Sequence, residues 1–145
     1  MKKLFLFGAL FVLSIGSAIA GEKEDAMKMV ADAAAAAAKD KAAAIAEIGK
    51  AGGRYVKGEL YVFAYDLNGV MVAHPINAKL IGKNLLEVPD ADGKLFRKEI
   101  ISQVNASGSA AVDYKYKNPK TGKVEEKVSV CKKAAGLAIC AGYYK

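Results

Sequence analysis

The stretch from Leu60 to Pro75 constrains the fold more than any other. Two runs rich in aromatic and β-branched residues, Leu60 to Tyr65 and Val70 to Ala73, flank Asp66, Asn68 and Gly69. Asn-Gly supplies the positive φ that a tight turn needs, so the segment reads as a β-hairpin. With Leu67 and Asn68 as a two-residue loop, Tyr65 faces Val70, Phe63 faces Val72 and Tyr61 faces His74. Centring the turn on Asn68-Gly69 shifts the register but keeps the same faces, whereas a three-residue loop with a glycine bulge reverses that alignment. In the first arrangement the chain's one histidine stands among aromatic rings.

Before the hairpin, two patterns set the chain's beginning. Met1-Lys2-Lys3, the apolar run Leu4 to Ile15 and the small residues Ala18-Ile19-Ala20 before Gly21 have the three parts of a signal peptide cut between Ala20 and Gly21. An apolar run of this length falls short of the about 20 residues that a spanning helix needs, so the expected product is periplasmic or secreted. From Glu22 to about Ile48 the chain is rich in alanine, glutamate and lysine without internal glycine or proline. That composition predicts one long helix, closed by Gly49, Gly52 and Gly53. Its apolar stripe, Met27, Val30, Ala34, Ala37, Lys41, Ala44 and Ile48, is thin. Such a stripe suits a helix laid along a sheet, or a homodimer seam over Met27 to Ala38.

Beyond Pro75 the pattern predicts a loop with one short helical turn, then a helix from Lys94 to about Asn105 with Asp92 as candidate N-cap. Phe96, Ile100 and Val104 form its apolar stripe, and Ser107-Gly108 stops it. Asp90-x-Asp92-Gly93 lacks the further spaced ligands of a calcium loop. Ala110 to Tyr116 alternates as a strand, Asn118 to Lys123 is a turn, and Val124 to Cys131 is the returning strand. Pairing Asn118 with Lys123 sets Tyr114 opposite Lys127 and Val112 opposite Ser129. A last turn at Ala135-Gly136 leads into Ala138 to Tyr144. It sets Cys131 opposite Cys140 at a non-hydrogen-bonded pair, where a disulfide forms readily in an oxidising compartment. Two buried free thiols are the alternative. The fold class is α+β, with helices on the faces of one antiparallel sheet.

Composition narrows the function. Without Lys2 and Lys3 the chain holds 20 basic and 15 acidic residues, a formal +5. The lysines are dispersed and no helix is basic, which argues against nucleic-acid binding. One histidine, two distant cysteines and the absence of nucleophile, phosphate-loop, zinc or haem motifs argue against an enzyme, a metal or a cofactor.

The ordered pieces Tyr61-x-Phe63-x-Tyr65-Asp66-x-Asn68-Gly69, Ala73-His74-Pro75, Gly82-Lys83-Asn84-Leu85, Asp92-Gly93-Lys94-x-Phe96, Val112 to Tyr116 with Asn118-Pro119-x-Thr121-Gly122-Lys123, and Gly142-Tyr143-Tyr144 follow the long helix. In this order they strongly resemble the single Cache domain of bacterial extracytoplasmic sensors. The resemblance implies a PAS-like fold over 21–145, with a long helix over 21–49 and the sheet and pocket over 55–145. It places the helix on one face of a central antiparallel sheet and a small-molecule pocket on the other. Similar domains recognise small organic anions such as acetate, propionate, pyruvate or lactate, and sit between the membrane spans of chemoreceptors and histidine kinases. Since this sequence ends one residue after Tyr144, the expectation is an exported stand-alone module that binds a short carboxylate and reports to a membrane sensor. The competing expectation is an adaptor that docks through its alanine-rich helix on a sensor or on itself, with a degenerate pocket.

A carboxylate leaving water needs a cation or several donors and a small apolar wall. Lys127, mid-strand, is the first candidate for the cation, the alternative being a solvent-facing lysine that balances Glu125 or Glu126. Tyr114 and Tyr116 are candidate hydroxyl donors or core rings. His74 is a candidate donor that gains charge below about pH 6.5, or a structural residue. Tyr61, Phe63 and Phe96 supply walls or ordinary core.

Overall fold

The computed structural model of the protein describes residues 16–145; the apolar run of the expected leader lies outside the described residues. Helix α1 (Gly16–Lys39) is followed directly by α2 (Lys41–Ile48). The single long helix expected from composition is therefore two. Asp40 breaks it, with extended backbone (φ −149°, ψ 98°) and a side-chain oxygen that accepts from the Ala43 amide at 3.0 Å. Aspartate competes with the helix for backbone hydrogen bonds and favours the N-cap, so the one poor helix former in the second half of this run starts a new helix.

Six strands follow: β1 (Val56–Lys57), β2 (Leu60–Asp66), β3 (Met71–Ala73), β4 (Ser109–Lys117), β5 (Val124–Ala134) and β6 (Leu137–Tyr144), with a 3-10 turn at Ala78–Leu80 and helix α3 (Phe96–Ser107) between β3 and β4. All pairs are antiparallel, in the order β1-β2-β6-β5-β4, and β3 also pairs with β2. Strand β6 is buried along its whole length, as a central strand covered on both faces must be.

Side-chain alternation divides the core in two. On one face, Leu60, Val62, Ala64, Val128, Val130, Leu137, Ile139 and Ala141 meet Ala26, Val30, Ala33, Ala34, Ala37, Ala44 and Ile48 of α1 and α2. Alanines let the helices approach the sheet closely. Val30, Ala34, Ala37, Ala44 and Ile48 of the stripe are thus covered by the domain's own sheet, while Met27 stays 54% exposed and Lys41 is exposed too. On the other face, Tyr61, Phe63, Tyr65, Phe96, Ile100, Val104, Val112 and Tyr114 pack together under α3.

The later turns follow the predicted registers: Tyr114 lies opposite Lys127, Val112 opposite Ser129 and Cys131 opposite Cys140. The two cysteines form a disulfide across β5 and β6 with a Cα–Cα distance of 4.1 Å. A ring of this size contributes about 2.7 kcal/mol by chain entropy. Asp92 is not the cap of α3, whose N-cap Leu95 makes no side-chain cap bond. Asp90 organises that turn instead, accepting from the amides of Asp92 and Lys94 at 2.9 and 2.8 Å. A second Asp90 oxygen accepts from the Lys115 amide on the outer edge of β4 at 2.9 Å. On the same edge the Ala111 amide donates to Gln103 at 3.1 Å, and Lys94 donates to the Asp113 carbonyl at 2.6 Å. Side chains therefore close the edge strand.

Candidate ligand-binding site

The first hairpin takes the three-residue loop of the two alternatives, not the two-residue one. Asp66 and Val70 close a three-residue loop, the Asp66 amide donating to the Val70 carbonyl at 2.8 Å. The Asp66 carboxylate accepts from the amides of Asn68 and Val70, each at 2.9 Å, and Gly69 has φ 87°. Tyr65 consequently pairs with Met71 and, after a bulge, Ala64 pairs with Ala73. The extra residue is Val72. It turns Ala73 toward the helices, among the residues they cover, and returns His74 to the opposite, aromatic face. A bulge re-aims the side chains that follow it, and here it re-aims the histidine. Segment 82–85 runs beside this hairpin, with Gly82 (φ 82°) donating to the Met71 carbonyl at 2.8 Å and Leu85 donating to the Gly69 carbonyl at 3.0 Å.

All seven residues expected at a pocket line one chamber on this face: Tyr61, Phe63, His74, Phe96, Tyr114, Tyr116 and Lys127. Tyr65, Met71 and Arg97 complete it. The chamber has a volume of about 10 Å³, which is roughly the room one water needs. A larger open groove, about 690 Å³, lies between α1 and β4, but the cations on its rim, Lys23 and Lys132, are exposed to solvent.

Lys127 is 1% exposed, so it is not a solvent-facing lysine balancing its neighbours. Its Nζ donates to the Tyr61 hydroxyl at 2.9 Å and lies 4.1, 4.9, 5.3 and 5.8 Å from the ring centroids of Tyr61, Tyr144, Tyr116 and Phe63. Glu125, two residues away, is held by Asn118 and Thr121, each at 2.7 Å, and Glu126 is exposed. Burial pushes the amine down to about 7. Gly142 on β6 makes room for it, because a Cβ there would collide with the Lys127 chain and come within 2.7 Å of Ser129 Oγ.

Arg97 is the second buried cation, 4% exposed, and sequence reasoning missed it. Its Nη1 donates to the Val88 carbonyl at 3.2 Å and its guanidinium carbon lies 4.2 Å from the Phe96 ring centroid. Nε is buried with no hydrogen-bond partner. The available signal was positional: Arg97 lies on the stripe of Phe96, Ile100, Ile101 and Val104, where a charge is out of place.

His74 accepts at Nδ1 from the amides of Ile76 and Asn77, at 3.2 and 3.0 Å. That puts the neutral ring's proton on Nε2. Burial, then the positive charges of Lys127 and Arg97, push its pKa down to about 4, so the expected charging near pH 6.5 does not occur. The Tyr114 hydroxyl is engaged with Ser129 Oγ at 2.7 Å, and its ring stacks on Phe96 with centroids 3.9 Å apart. Tyr116 is only half-buried, edge-on to both rings. The arrangement presents two cations and an imidazole N–H inside aromatic walls, with no carboxylate among the lining residues.

The Single Cache domain 2 family model matches residues 23–142. A periplasmic sensor domain of a chemotaxis protein is 29% identical, with TM-score 0.69, 92% of this chain and 99% of that chain covered. A Cache chemosensory domain whose structure concerns carboxylic acid recognition shares the fold at 24% identity and TM-score 0.73, covering 90% and 98% of the two chains. A methyl-accepting chemotaxis protein of Vibrio parahaemolyticus RIMD 2210633 shares it at 19% identity and TM-score 0.72, over 89% and 92%. Among curated sequences, the sensor histidine kinase MctS of Rhizobium johnstonii (strain DSM 114642 / LMG 32736 / 3841) is 35% identical over 69 residues, 48% of this chain and 15% of the kinase. The chain thus spans a small part of that relative's length. No helix among the described residues is long and apolar enough to cross a membrane. A family match that runs from α1 into β6 places this chain among the single Cache sensor domains, related to those of chemoreceptors and sensor histidine kinases.

Proposed function

We propose that the domain, exported to the periplasm, binds a short organic anion such as acetate, propionate, pyruvate or lactate without covalent chemistry and reports it to a membrane sensor. The observation that carries this reading is the pair of buried cations, Lys127 and Arg97, in a chamber without a carboxylate of its own. A buried charge is costly until it is paired, and a carboxylate supplies both the charge and acceptors for Nζ and the free Nε. The His74 Nε2–H is a further donor. The small chamber and its rings favour a short acid over a long one. Binding requires side chains to move, and half-buried Tyr116 is the wall with the most freedom to do so. A carboxylic acid is also what the 24%-identical chemosensory domain recognises.

The test is a thermal-shift panel of C2 to C4 carboxylates and amino acids on protein refolded from denaturant to strip bound ligand. A ligand at about 100 times its Kd stabilises by roughly 2.7 kcal/mol, a rise of several degrees. Lys127→Met and Arg97→Gln should each remove most of the rise while the protein remains folded. A folded wild type that responds to no acid in the panel would overturn the proposal.

A further inference from the structure

The groups around the Lys127 amine come from every element of the chamber. Strand β2 supplies Tyr61, its hydrogen-bond partner, and Phe63; β4 supplies Tyr114 and Tyr116; β6 supplies Tyr144. His74 stands at the end of β3 and Arg97 on α3. On its own strand, Glu125 is bound by Asn118 and Thr121. None of these gives the amine a counter-charge. The phenol serves a neutral amine as well as an ammonium, because Tyr61 Oη can donate to the amine lone pair once the proton is gone.

We propose, resting on the carboxylate reading above, that the chamber takes up its anion together with a proton: Arg97 is the permanent charge, Lys127 the switchable one. On binding, the Nζ lone pair accepts a proton from solvent and the resulting ammonium pairs with the carboxylate; no heavy-atom bond is made or broken. The domain then reads anion and acidity jointly. Burial holds the free amine near neutrality, at about 7. His74, Tyr61, Tyr114 and Tyr144 are silent across the same range. His74 is pushed to about 4, Tyr61, Tyr114 and Tyr144 are pushed up by burial, and a guanidinium keeps its charge.

The test is calorimetric titration of the refolded domain with propionate from pH 6 to 9, in buffers of different ionisation enthalpy that contain no carboxylate or phosphate. The expected Kd is flat near pH 6 and rises about tenfold per pH unit above 7, with uptake approaching one proton per propionate. Lys127→Arg, whose charge does not titrate, should bind with a flat pH profile and no uptake. Should that larger side chain not fold in the chamber, Lys127→Met should bind weakly, again without slope or uptake. Wild-type binding that is independent of pH and takes up no proton would overturn the inference and leave the carboxylate reading standing. No binding by propionate or any other acid of the panel would overturn both.

Discussion

The two faces of one sheet are built on opposite terms. The helix face joins alanine, valine, leucine and isoleucine to two short-stepped helices, and its one buried side-chain polar atom without a partner, among the described residues, is the Tyr55 hydroxyl. The chamber face is aromatic, holds two buried cations and leaves Arg97 Nε unpartnered. The first face gains stability from nearly everything it buries. The second gives some up, since an uncompensated buried charge destabilises the fold until something pairs with it. Strand β6 serves both, with Leu137, Ile139 and Ala141 on one side and Ala138, Cys140 and Gly142 on the other. Adhesion and recognition are thus separated by one strand's thickness, and each can be disturbed alone.

Three substitutions test whether the faces are separate. The largest effect is expected at Ile139, fully buried on the helix face: Ile139→Ala should cost about 3 kcal/mol, lowering Tm by roughly 12 °C, with the ligand-induced shift retained. Loss of the ligand response in that variant would show that the faces are not independent. Lys127→Met should act in the opposite sense. Without ligand, urea titration should find it more stable than the wild type by about 2 kcal/mol, while most of the ligand response is lost. The gain should depend on pH. The folded amine sits near 7 and the unfolded one near 10.5, so between these values the unfolded chain binds more protons and wild-type stability rises with pH. The advantage of the methionine is therefore greatest below pH 7 and shrinks toward pH 10. The smallest effect is expected at Asp40: Asp40→Ala removes the α2 cap and should cost about 1 kcal/mol in urea, with no change in ligand response.

Much of this was legible in the sequence where local chemistry decides. The turns at Asn118 to Lys123 and Ala135-Gly136 fix their registers within a few residues, so the facing pairs Tyr114 and Lys127, and Cys131 and Cys140, follow by counting. What escaped was decided by competition. Asp40 was visible, but whether a lone aspartate interrupts an alanine helix depends on the sheet beneath it. Asp66 closes a three-residue loop with its own carboxylate, and the bulge at Val72 has no residue signature, so the hairpin register shifted. Arg97 hid because a charge within an apolar stripe reads as surface until the packing is known. All seven expected chamber residues still came together: alternation on β2, β4 and β5 sends Tyr61, Phe63, Tyr114, Tyr116 and Lys127 to one face, Phe96 follows the apolar stripe of α3, and the bulge at Val72 returns His74 to them.

The closed edge of β4 has one further consequence. An open strand invites the next molecule to add itself, and here Gln103 and Asp90, accepting from strand amides, and Lys94, donating to a strand carbonyl, occupy three of the groups that would do the inviting. Those side chains belong to α3 and the turn before it, the same segment that roofs the chamber. Roof and edge are therefore one latch, and any motion wide enough to lift the roof also bares a sticky seam.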